Sequence, residues 1–145
     1  MSVEQVARDF ISNMTDQEKV RGMLTPDAMV DGGVLPQSMP ATEAINIMTD
    51  LTNAIPDFKF DIQQVTVNGN QATVTARWSG TQTGPWSLPI PGMMPIPVTG
   101  KRISVMDKYV VTVQGDKVSH LTVDSPADGG IPAALAQIGV KMPGM

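Results

Sequence analysis

Two long runs of strict alternation limit what this chain can become. Ala72, Val74, Ala76 and Trp78 alternate with Thr73, Thr75, Arg77 and Ser79, and the odd positions of a later run read Ile103, Val105, Asp107, Tyr109, Val111 and Val113. Successive side chains of a strand point to opposite faces, so both runs predict strands with one water-avoiding face. A single carboxylate, Asp107, interrupts that face. A further strand-like run, from Lys117 to Asp124, follows Gly115-Asp116, whose glycine suits the first central position of a type II′ hairpin. That turn pairs Gln114 with Lys117 and Val113 with Val118. With no bulge, Val111 then lies opposite His120, Tyr109 opposite Thr122, and Asp107 opposite Asp124.

Two carboxylates side by side in a partly dry site cannot both ionise cheaply, so one of the pair is expected to hold a proton, which is acid/base equipment. The alternative is that one or both point into solvent at the sheet's end. His120 and Asp124 are about 13 Å apart along a regular strand and would address different parts of one ligand.

The 145 residues suffice for one domain with a real core. A net charge of −4 and a lone adjacent basic pair, Lys101-Arg102, leave no phosphate-tracking stripe and argue against nucleic acid. Glu4 precedes any apolar periodicity, and no apolar run approaches membrane-spanning length, so the expected setting is cytoplasmic with no membrane partner. With no cysteine and one histidine, thiolate chemistry and the usual zinc ligand sets are excluded, and no metal site is expected. Eleven methionines suit either an adaptable apolar cavity or ordinary gap-filling in a core.

Ser2 and Gln5 have capping-box spacing, and Val3, Val6, Ala7, Phe10, Ile11 and Met14 recur at helical intervals behind them. Thr15 to Glu18 repeats the signature and opens a short second helix ending near Gly22. Thr25-Pro26 reads as a cap followed by proline at a helix start, and Asp31-Gly32-Gly33 breaks the pattern. A third helix after Pro40 carries Ala44, Ile45, Met48, Leu51 and Ile55 and stops at Pro56. Phe58, Phe60 and Ile62 share one parity and Val65 and Val67 the other, which predicts a bulge near Gln63-Gln64; Asn68-Gly69 then marks a hairpin. The sheet is expected to be antiparallel and curved. Residues 84–100 are rich in proline and apolar, which predicts a lid over a cavity mouth, or else a proline-stiffened hairpin connection packed on the outer surface or a partner. Ile131 to Ile138 reads as a short helix closed by Gly139, and 140–145 as a frayed tail.

Helices followed by a bent antiparallel sheet give an α+β class, with the helices packed in the concave face of a strongly curved sheet and a conical pocket left between them. The local wording resembles the SnoaL-like polyketide cyclase family, within the cone-shaped α+β domains similar to nuclear transport factor two. The matching words are Leu24-Thr25-Pro26-Asp27-Ala28 before Gly32-Gly33, Ile55-Pro56-Asp57-Phe58, Ala76-Arg77-Trp78 and Gly80-Thr81-Gln82-Thr83-Gly84. They continue with Thr99-Gly100-Lys101-Arg102 and Gly115-Asp116-Lys117-Val118-Ser119-His120, and run in order from Val20 to Asp124. The resemblance implies an aldol ring closure without metal or organic cofactor, in which a late-strand aspartate moves the proton beside a carbonyl. Carried onto this chain, Asp124 takes the acid/base role, His120 or Tyr109 polarises the carbonyl, and Asp107 tunes Asp124. Leu121 after the histidine and the Asp124-Ser125 ending depart from the family pattern.

Trp78, Trp86, Met93, Met94 and Phe60 are the expected pocket wall for a hydrophobic carbonyl substrate. The competing reading is a non-catalytic binder of a hydrophobic small molecule with the same cavity. Pairing into a homodimer is expected through the other sheet face, where Met106, Val110, Leu121 and Val123 would lie.

Overall fold

The structure, a computed structural model, describes residues 2–33, 35, 37–88, 92–126 and 128–140. The N-terminal periodicity forms α1 (Val3–Ser12), capped where the Ser2 hydroxyl accepts the Gln5 amide at 3.1 Å, with Val6, Ala7, Phe10 and Ile11 buried. In α2 (Gln17–Gly22) the cap is Asp16 rather than Thr15; its carboxylate accepts the Lys19 amide at 3.2 Å. The helix expected at Thr25-Pro26 is instead a strand, β1 (Leu24–Gly32). Its pairing is irregular between Leu24 and Met29, so Pro26 falls in the stretch where a missing N–H costs the ladder nothing.

β2 (Met39–Pro40) leads into α3 (Ala41–Ala54), and then β3 (Lys59–Asn68), β4 (Gln71–Thr81), β5 (Arg102–Gln114), β6 (Lys117–Val123) and α4 (Gly130–Gln137) follow. The strands form one six-stranded curved sheet in the order β2-β1-β6-β5-β4-β3, with the helices on one face. All neighbours are antiparallel except β1 and β6, which run parallel, a correction to the wholly antiparallel expectation. The β3 bulge lies between Ile62 and Gln64, as the parity break predicts. On the inner face Ala72, Val74, Ala76 and Trp78 of β4 are buried, as are the odd positions of β5 from Ile103 to Val113.

A second bulge was not foreseen. Val113 pairs with Val118, but Thr112 already pairs with His120, leaving Ser119 as the extra residue. From there Val111 faces Leu121, Tyr109 faces Val123, and the Asp124 amide donates to the Lys108 carbonyl at 2.8 Å. One added residue reverses the parity of the rest of β6 relative to the sequence count. Leu121 and Val123 therefore turn toward the core, and His120 and Thr122 turn away from it.

Residues 82–88 and 92–101 form a strapped extension rather than the expected lid, and none of them lines the cavity described below. Trp86 and Ile96 exchange backbone hydrogen bonds at 3.0 and 2.8 Å, and both are buried in a cluster with Leu51, Ile103 and Leu135. Gln82, fully buried, ties the strap: its amide nitrogen donates to the Gly84 and Pro97 carbonyls, and its oxygen accepts from the Thr99 amide and hydroxyl. Residues 89–91 of the expected lid and 141–145 of the expected tail lie outside the described residues.

Candidate active site

Between α1, α3 and the concave face of the sheet lies a cavity of about 150 Å³. Its walls include Phe10 of α1, Ile45 and Met48 of α3, and Phe60, Trp78 and Tyr109 of the sheet. Among the described lining residues the polar groups are Asp107, Tyr109, Ser125 and the indole nitrogen of Trp78.

Register explains why these four meet. Ala76 faces Asp107 and Trp78 faces Val105 across the β4–β5 ladder, which makes Trp78 a diagonal neighbour of Asp107 on the inner face. Tyr109 stands two residues along the same face. Past the end of β6, Ser125 arrives opposite Asp107 because the Ser119 bulge has changed the count. The Ser125 hydroxyl donates to Asp107 Oδ1 at 2.7 Å, the Lys108 amide donates to the same oxygen at 3.0 Å, and Trp78 Nε1 donates to Oδ2 at 3.4 Å.

Asp107 is 4% exposed. Burial pushes its pKa up, opposed by hydrogen bonds from Ser125, the Lys108 amide, Trp78 and Tyr109. Tyr109 is raised well above its ordinary value, first by burial and then by the neighbouring Asp107 charge, so it stays a neutral hydroxyl donor. The ring of Phe60 meets Tyr109 edge-on at 5.9 Å and Phe58 at 4.9 Å, and Phe58 lies 5.3 Å from Trp78, giving a continuous aromatic wall.

The gap over Asp107 is closed by the start of α4. Gly130 has φ +67°, and a Cβ there would sit 2.4 Å from Ser125 Oγ and 3.6 Å from Asp107 Oδ2. A Cβ on Gly129 would sit 2.2 Å from the Met106 carbonyl oxygen. The glycine pair lets the helix close on β5 without displacing the serine.

The sequence-predicted residues thus divide. Asp107, Tyr109, Trp78 and Phe60 line the cavity. Asp124 is exposed and does not face Asp107, which corrects the expected carboxylate pair. His120 stands on the outer face, where its Nε2 lies 3.2 Å from Asp31 Oδ2 with both side chains about a third exposed. The Thr122 hydroxyl, and then His120, hold the Asp31 carboxyl below the usual range. Trp86 belongs to the strap cluster, Met93 packs against that cluster, and Met94 is 81% exposed; none of the three lines the cavity. Sequence reasoning missed Ser125 and the Gly129-Gly130 pair. Its one available signal was the double glycine directly before an apolar helix.

A helix-filled curved sheet around an apolar hollow is the cone-shaped α+β architecture of proteins similar to nuclear transport factor two. The sequence pattern of the SnoaL-like polyketide cyclases matches residues 2–122, and the chain belongs to that family. Among solved structures it is similar to a protein from Jannaschia sp. CCS1 assigned as a SnoaL-like polyketide cyclase, with 21% identity, 94% of this chain and 90% of that one covered, and a TM-score of 0.77. It is also similar to IdmH from Streptomyces antibioticus, assigned as a polyketide cyclase (16% identity, 97% and 100% covered, TM-score 0.75). AclR from Streptomyces galilaeus, assigned as a hydroxylase, shares 13% identity over 94% and 84% of the two chains, with a TM-score of 0.75. No curated protein matches the chain by sequence.

Proposed function

We propose that the chain is a cofactor-free cyclase-type enzyme in which Asp107, not Asp124, moves the proton. The observation that carries this reading is a buried carboxylate with raised pKa set among hydrogen-bond donors in an otherwise apolar cavity. A raised pKa makes the carboxylate a stronger base at neutral pH. Asp107 takes a proton from the carbon beside a substrate carbonyl, and the Tyr109 hydroxyl and Trp78 indole N–H stabilise the enolate oxygen. The enolate carbon then bonds to a second carbonyl carbon, and the resulting alkoxide takes a proton back from Asp107, which regenerates the carboxylate. The substrate class is a hydrophobic carbonyl compound with little net charge, because no lysine or arginine is among the described lining residues.

The test is deuterium exchange of an apolar enolisable ketone, β-tetralone, in heavy water, followed by proton NMR. The parent is expected to accelerate exchange over buffer, and Asp107→Asn to lose about 100- to 10,000-fold of that acceleration. His120→Ala and Asp124→Asn are expected to exchange at the parent rate, because neither side chain lines the cavity. Exchange by Asp107→Asn at the parent rate would remove Asp107 from the mechanism. If β-tetralone binds without any acceleration by the parent, the chain is the non-catalytic binder instead.

A further inference from the structure

We infer that Ser125 is a positioning residue for Asp107: with the Lys108 amide it occupies Oδ1, so that Oδ2 is the oxygen that exchanges protons with a ligand. The inference rests on the Asp107 role proposed above and adds a residue beyond the family match, which ends at 122.

The two carboxylate oxygens have unequal surroundings. Oδ1 accepts a short O–H donor at 2.7 Å and a backbone N–H at 3.0 Å, which stabilise negative charge on that atom. Oδ2 has the 3.4 Å contact from Trp78 Nε1, near the outer limit of a hydrogen bond, and Trp78 itself lines the cavity. A proton arriving at Oδ1 would meet a hydroxyl already donating there. A proton arriving at Oδ2 meets the long Trp78 contact, with the Tyr109 hydroxyl as the carboxyl's remaining donor.

Gly130 keeps this arrangement in place. The α4 backbone passes close enough to Ser125 that any side chain at Gly130 would strike its hydroxyl, so the serine is held between α4 and β5. Among the described residues the one titratable side chain that acts on the Asp107 carboxyl is Tyr109, on the same strand. Trp78 of β4, Ser125 after β6 and Gly130 of α4 bring no charge. Removing the Ser125 hydroxyl therefore changes the proton affinity of Asp107 without changing the local charge.

The experiment is a carbon-13 titration of the Asp107 side-chain carboxyl in the full-length parent, Ser125→Ala and Ser125→Thr, with the Trp78 indole N–H resonance followed in parallel. Ser125→Ala is expected to move the Asp107 midpoint up by about one unit or more, the effect of losing one hydrogen bond to a charged acceptor. Ser125→Thr keeps the hydroxyl and is expected to return the midpoint toward the parent. In all three the Trp78 resonance should titrate with the Asp107 midpoint, because it reports on Oδ2. An unchanged midpoint in Ser125→Ala overturns the inference and leaves the Asp107→Asn exchange result to stand on its own. A shifted midpoint beside an Asp107→Asn variant of full exchange rate supports the Ser125 contact and removes the catalytic reading instead.

Discussion

Asp107 sits between opposing pulls, and their balance has a thermodynamic sign. Burial outweighs the donors, so its pKa in the folded chain lies above the ordinary carboxylate value and folding takes up a proton between the two. The stability linked to this group is full at low pH and is lost as pH rises through the unfolded and then the folded value. Asp107→Asn removes that dependence. The unfolding free energy of the parent relative to this variant is expected to grow in the parent's favour as pH is lowered from about 7 toward about 4, as read by denaturant unfolding at each pH. A trend of opposite sign would mean that the donors, not burial, dominate. Asp31 works in the other direction, since its lowered pKa gives stability that is lost as pH falls. Both chains in the comparison carry Asp31, so its contribution cancels.

Single strands decided which parts of the molecule were legible in advance. The alternation in β4 and β5 placed Trp78, Asp107 and Tyr109 on the inner face correctly, because a regular ladder preserves parity over its whole length. The shift from Ile62 to Val65 exposed the β3 bulge by the same logic. In β6 the corresponding signal was present but misread. Val118 and Leu121 are both apolar and an odd number of residues apart, so a one-sided strand can bury both only by adding a residue between them. Counting from the hairpin without that residue sent His120 and Asp124 inward and assigned Leu121 and Val123 to the outer face. Ser125 was invisible for a related reason: it lies beyond the strand, and its position depends on the bulge. The Gln82 strap was equally hidden, because a buried glutamine bridging two ends of a loop leaves no periodic trace. Gln82→Ala strips partners from the Gly84 and Pro97 carbonyls and the Thr99 amide. It is expected to cost about 2 to 3 kcal/mol in denaturant unfolding and to red-shift Trp86 emission as the strap loosens. A loss below about 0.5 kcal/mol would show that burial of Trp86 and Ile96 alone holds the segment.

At the scale of the whole molecule, the two sheet faces differ in character: the inner one encloses the cavity and the outer one presents partly exposed apolar side chains. The outer face keeps Met106 and Val110, both partly exposed, but has lost Leu121 and Val123 to the core. We propose that pairing through this face gives a homodimer, with those two side chains at its centre; sedimentation is expected to show a dimer at micromolar concentration that weakens in Met106→Lys. A monomer for the parent at that concentration removes the proposal. Among the described residues no helix is long and apolar enough to cross a membrane. Among the described lining residues of the cavity, the polar side chains gather in one corner, around Asp107, with hydrocarbon elsewhere. A guest carrying several oxygens therefore has unequal choices: each one lodged away from that corner forfeits its hydrogen bonds, at a cost of about 1 to 3 kcal/mol. Under the proposed cyclase mechanism, regiochemistry would be settled on entry, since the ketone that finds the corner would be the one activated, and the order of ring formation would follow from how the guest is threaded.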